Sequence, residues 1–169
     1  PRITQLEVGD PRLESTQMGP LISAAQQERV AGFVQGDEVA FRGKAPEGPG
    51  FWFPPTVLLP QPGSRALREE IFGPVLVAIP WRDTEDVIRM ANDSHYGLAA
   101  YVWSHNLDNA LNTAHRVDAG WVQVNQGGGQ VVGQSYGGYK QSGIGREVSL
   151  EGMLAGFTQT KQINVKLRG

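Results

Sequence analysis

The sequence predicts an α/β fold built on a parallel βαβαβ sheet, and three observations carry that prediction. Apolar stretches suited to strands alternate with stretches of helical period between residues 74 and 124. The joints between them are short, and the helical stretches are long enough to return the chain parallel to itself, in the right-handed sense such crossings take. Glycine then crowds a single segment, with eight of the chain's 22 falling between Gly127 and Gly145. Glycines that dense mark backbone that turns tightly or passes close to other backbone.

The elements follow in order. Pro1 to Met18 has no clear period, and Gly19-Pro20 punctuates it. Ser23 to Val34 reads as a helix, with Ile22, Val30, Phe33 and Val34 near helical spacing, Ser23 as N-cap and Gln26 at the capping-box position. Gly36 to Gly50 is a loop with a short strand around Val39–Phe41. Phe51 to Leu59 is aromatic and β-branched, a strand whose middle is demoted to an edge or bend by Pro54-Pro55. Pro74 to Trp81 is a continuous apolar run, which predicts a strand buried on both faces. A helix capped by Asp83 or Thr84 follows, then a strand over 98–103, a helix over 106–117 and a strand over 121–124. Beyond the glycine-rich segment, 146–157 has helical spacing, and 162–167 alternates like a strand exposed on one face. A strand there needs a partner, which another subunit could supply.

Composition narrows the function classes. The chain has 169 residues, a net charge of −2, 40% hydrophobic residues and 19% charged ones. Such a balance suits a globular domain, or a large piece of one, and argues against a nucleic-acid or anionic-membrane partner, either of which needs a clustered basic face. No apolar run approaches the roughly 20 residues of a spanning helix, so a cytoplasmic protein is expected. Cysteine is absent. Disulfides, Cys-bearing zinc sites and a thiol nucleophile are therefore excluded from this chain.

Most candidate chemistry is weak. Gly127-Gly128-Gly129 follows a predicted strand, but Val132 stands where a dinucleotide fingerprint needs glycine. Gly133 and Gly138 have P-loop separation, yet Tyr139-Lys140-Gln141 follows. His95, His105 and His115 lack partners at metal-ligand spacing, and no serine sits in a nucleophile elbow. Glu69-Glu70-Ile71-Phe72-Gly73-Pro74-Val75 differs: two adjacent carboxylates abut an aromatic just before a strand. By residue type alone, this is either a solvated turn with an aromatic plug or a functional loop on a rigid scaffold.

EEIFGPV resembles the cofactor-side motif of the aldehyde dehydrogenase superfamily, and further segments match in register. Upstream lie Gly19-Pro20-Leu21-Ile22 with Gln26 and Arg29, then Pro55-Thr56-Val57-Leu58. Downstream lie Ala91-Asn92, Tyr96 to Ala100, Gly120 with Val124-Asn125, Gly137 to Gly143, Gly145-Arg146-Glu147 and Thr160-Lys161.

The resemblance implies oxidation of an aldehyde to a carboxylic acid with NAD or NADP, through attack by a cysteine thiolate and hydrolysis of the resulting thioester. It assigns Glu70 to the nicotinamide ribose hydroxyls, Phe72 to the nicotinamide, and Gln26 and Arg29 to a helical cofactor contact. Glu147 matches a glutamate that relays protons in some members. Tyr136 matches a tunnel aromatic, usually Phe, and Gln130 replaces another aromatic of that tunnel, which implies a more open or polar channel. Residues 1–158 correspond to the C-terminal portion of the catalytic domain and 159–169 to an oligomerisation segment, whose Lys161–Leu167 strand implies a homo-oligomer. The Rossmann domain and the nucleophile are expected upstream, so this chain alone is expected to be inactive. The alternative expectation is a naturally short relative acting as an interaction module.

Overall fold

The computed structural model describes residues 2–166. The chain divides into two compact units, residues 1–80 and 81–169. In the first, α1 (Ala24–Val34) begins where expected: the Ser23 side chain accepts from the Gln26 backbone N–H. The side chain of Gln26 does not close a capping box; it is engaged elsewhere, as described below. Strands β1 (Glu38–Arg42), β2 (Thr56–Leu59) and β3 (Val75–Val77) form one sheet in that order, β1 antiparallel and β3 parallel to β2. The Pro54-Pro55 pair delays β2 until Thr56, because proline cannot donate to a ladder. Val30, Phe33, Phe53 and Ile71 form the core of this unit, with Leu58 buried in β2.

The expected strand over 74–81 is corrected in two respects. It is three residues long, and Leu76 is exposed rather than buried. It pairs Val75–Val77 with Thr56–Leu58, and β2 itself ends one residue later, at Leu59 before Pro60. Its ladder is made with β2.

In the second unit, α2 (Thr84–Asn92) is capped by Asp83 and α3 (Leu107–Arg116) by Asn106. Two short strands, β4 (Tyr96–Gly97) and β5 (Ala99–Val102), lie between these helices. Strand β6 (Trp121–Val124) runs parallel to β5 across α3, the βαβ crossover the periodicity predicts. Strand β7 (Tyr139–Lys140) folds back antiparallel on β4. Helix α4 spans Leu150–Phe157 and starts later than expected. Val148 adopts φ 67°, outside helical space, and Ser149 caps the helix instead. The Gln162–Leu167 strand is not formed over the described residues 162–166, which are exposed and unladdered; Leu167 lies outside them. Alternating residues make a strand only when backbone groups find a partner edge.

Candidate functional site

The first unit holds the residues of the EEIFGPV segment. Glu69 and Glu70 are adjacent and both exposed, yet their environments differ. Arg65 donates to both oxygens of the Glu69 carboxylate at 2.9 Å each, one helical turn away. Those hydrogen bonds, with the nearby positive charge of Arg65, hold the Glu69 carboxyl below its ordinary value. Among the described residues, no hydrogen bond or ion pair engages the Glu70 carboxylate, which leaves it open as an acceptor.

The backbone of this loop is held by α1. Gln26 donates from its amide nitrogen to the carbonyl of Phe72 at 2.9 Å and to that of Ile71 at 3.3 Å. Arg29 donates to the Glu70 carbonyl at 2.7 Å and to the Ile71 carbonyl. Three consecutive carbonyls are thus satisfied by two side chains on one helix face, three residues apart. Phe72 stands at φ 55°, a left-handed conformation that costs a residue with a Cβ about 1–2 kcal/mol, and its ring is 77% exposed. Ile71 beside it is buried and ties the loop to the core. Gly73 follows because a Cβ there would lie 2.6 Å from a methyl of fully buried Val30. The guanidiniums of Arg29 and Arg65 both sit over the Phe33 ring, at 4.9 and 4.6 Å from its centroid.

The second unit holds the other residues. Tyr136 and Glu147 are brought together: each donates its backbone N–H to the other's carbonyl, at 2.9 and 2.7 Å. The Tyr136 ring meets Trp121 edge-on at 5.4 Å, and Trp121 meets Tyr101 at 6.3 Å. Tyr136 and Glu147 line an open, mostly apolar groove of about 950 Å³ together with Val132, Met153 and Phe157. Gln130 is exposed in the glycine-rich loop and does not line that groove.

Part of the glycine cluster has a steric cause: a Cβ on Gly137 would stand 2.3 Å from the Gly145 carbonyl oxygen and one on Gly138 2.6 Å from that of Ser142, whereas Gly128, Gly129, Gly133 and Gly145 face open space. A Cβ on Gly120 would stand 1.8 Å from the Gly137 carbonyl oxygen, so two backbone segments touch there. Lys140 fastens the same region, donating to the Asn92 carbonyl at 2.8 Å and pairing with Asp118 at 3.2 Å.

Sequence reasoning missed Arg65, although its i,i+4 spacing to Glu69 is a legible signal. It also missed the Lys140–Asn92–Asp118 knot, whose members lie far apart in the chain and share no periodic pattern.

The fold and these loops define an α/β protein with a braced carboxylate–aromatic loop in one unit and a backbone-packed glycine loop in the other. The aldehyde dehydrogenase family model matches residues 1–163, and the chain belongs to that family. A hydroxyisobutyraldehyde dehydrogenase of Mycolicibacterium austroafricanum is 39% identical over 174 residues, covering 98% of this chain and 34% of its own length. A betaine aldehyde dehydrogenase of Brucella ovis is 38% identical over 176 residues, covering 98% of this chain and 36% of its own. Among solved structures, a betaine aldehyde dehydrogenase from Staphylococcus aureus in complex with NAD+ superposes with a TM-score of 0.83 at 33% identity, covering 91% of this chain and 33% of that one. The chain thus spans about a third of the length of the relatives it matches.

Proposed function

We propose that this chain is the C-terminal portion of the catalytic domain of an NAD- or NADP-dependent aldehyde dehydrogenase, which oxidises an aldehyde to a carboxylic acid. The observation that carries this reading is the asymmetry of the two glutamates: Arg65 occupies Glu69, while the Glu70 carboxylate is open beside an exposed Phe72 ring. That donor set suits a nicotinamide nucleoside, since a free carboxylate accepts from a ribose diol and a bare aromatic packs against the nicotinamide. When bound, the dinucleotide accepts a hydride from the substrate. Glu70 and Phe72 would hold and orient its nicotinamide half. Glu147, beside Tyr136 at the apolar groove, would serve as a proton acceptor near the substrate, and Tyr136 would border the channel; Gln130, on the exposed glycine-rich loop outside that groove, would reach the channel only at its mouth. The exposed segment from Lys161 would become a strand on meeting the same segment of a second subunit, in a cytoplasmic homo-oligomer.

The test begins with the protein isolated from its own cells. A species of about 50 kDa, the size of two typical domains of this kind, with aldehyde-dependent reduction of NAD or NADP supports the reading. Phe72→Ala and Glu70→Gln should then each lower kcat/KM for the dinucleotide by at least about tenfold. A species near 18.4 kDa that binds neither dinucleotide would favour the interaction-module reading instead. Gln130→Phe should raise kcat/KM for apolar aldehydes relative to polar ones, and unchanged ratios would remove Gln130 from the channel.

A further inference from the structure

We propose that Gln26 and Arg29 act as positioning residues, holding the backbone of residues 70–72 so that Glu70 and Phe72 face the dinucleotide. The proposal rests on the dinucleotide reading given above. Four donations from these two side chains end on the carbonyls of Glu70, Ile71 and Phe72. An amide nitrogen bound to two carbonyls has its donor capacity taken. The loop they hold needs restraint: Phe72 stands in left-handed space with most of its ring in solvent, so its own packing cannot fix it.

The neighbouring contacts act in the same direction. Arg65 takes Glu69 out of competition with Glu70, and Arg29 and Arg65 share the buried Phe33 ring as a common seat. Ile71, between the two presented residues, is buried in the same core cluster as Phe33 and Val30. The loop therefore has a buried middle, carbonyls tied to α1, and two side chains left outward. Such pre-organisation supports binding because the ligand need not order the loop itself.

Gln26→Glu separates the two roles. A carboxylate can still accept from a ribose hydroxyl, but it cannot donate to carbonyls and repels them. Hydrogen exchange of the segment 68–76 should be measured in the intact protein without dinucleotide, for wild type, Gln26→Glu, Arg29→Ala and Arg29→Lys. Gln26→Glu and Arg29→Ala should each speed exchange there by about tenfold or more while the rest of residues 24–59 exchanges as before. Arg29→Lys, which keeps a donor, should restore part of the protection. The same two variants should raise KM for the dinucleotide more than they lower kcat. Adding Phe72→Ala to Gln26→Glu should cost less than the product of the separate effects. Unchanged loop exchange alongside weakened dinucleotide binding would overturn the proposal in favour of direct contact. Faster exchange throughout residues 24–59 would overturn it in favour of a merely structural role. A wild-type protein that binds no dinucleotide would remove the function reading and this proposal with it, whereas a wild type that binds and a Gln26→Glu loop that exchanges normally removes the proposal alone.

Discussion

The loop at residues 70–73 and the glycine-rich segment at 127–145 are fixed by opposite means. In the first, side chains reach from α1 to grip carbonyls, and the one tight approach, at Gly73, is to the methyl groups of Val30. In the second, backbone meets backbone, as at Gly120 against the Gly137 carbonyl. A side chain can be shortened or re-aimed, while a peptide group in contact has no smaller version. Tolerance to substitution should therefore differ between the two even though both carry family motifs.

The largest effect should come from Gly120→Ala. Its Cβ would overlap the Gly137 oxygen, and neither segment can yield without breaking the parallel pairing of β6 or moving Tyr136. We expect a loss of at least about 3 kcal/mol by chemical denaturation, at the upper end of overpacking costs. Gly129→Ala, inside the glycine-rich segment and facing open space, should stay within about 0.5 kcal/mol of wild type. Equal losses at the two positions would dissolve the distinction.

An intermediate effect is expected at Gly73. Gly73→Ala should cost about 1–3 kcal/mol alone, and Val30→Ala about 2 kcal/mol from the emptied core site. Together they should cost less than the sum, by at least about 0.5 kcal/mol, since removing the Val30 methyls makes room for the new Cβ. No similar rescue exists at Gly120. Strict additivity at Gly73 and Val30 would show that the backbone, not the valine, sets the limit there.

The smallest effect concerns Arg65. Its solvent-exposed pair with Glu69 depresses the Glu69 pKa from an ordinary 4.5, so the pair contributes above that value and fades as pH falls through the lowered one. Arg65→Ala should return the Glu69 titration upward by NMR, with a stability change too small to matter for folding. A large destabilisation would mean that the Arg65 stack on Phe33, not its ion pair, supports the loop.

Helix starts were the most legible part of the fold in sequence. Ser23, Asp83 and Asn106 cap the helices they precede, because capping is decided within four residues. Strand partners were less legible. The apolar run at 74–81 reads as a buried strand, but which edge it joins depends on β2, itself delimited by prolines. The site divides in the same way. The motif residues Glu70 and Phe72 were found by resemblance, and the structure places both on the loop surface. The carbonyl grip of Gln26 and Arg29 spans more than forty positions and has no periodic trace. Val148 delayed α4 by adopting a conformation that β-branched residues rarely take, which no propensity scale anticipates.

Among the described residues, each of the four α-helices carries its own starting signal in the residue just before it: Ser23, Asp83, Asn106 and Ser149 all accept from a backbone N–H of the first turn. Nucleation is the slow, unfavourable step in making a helix, and a local cap eases it without waiting for distant partners. On a ribosome that releases the chain from its N-terminal end, these segments can begin to coil within microseconds of emerging. The joining of β5 to β6 across α3 then requires closing a loop of only some twenty residues, so assembly of that pair follows emergence closely.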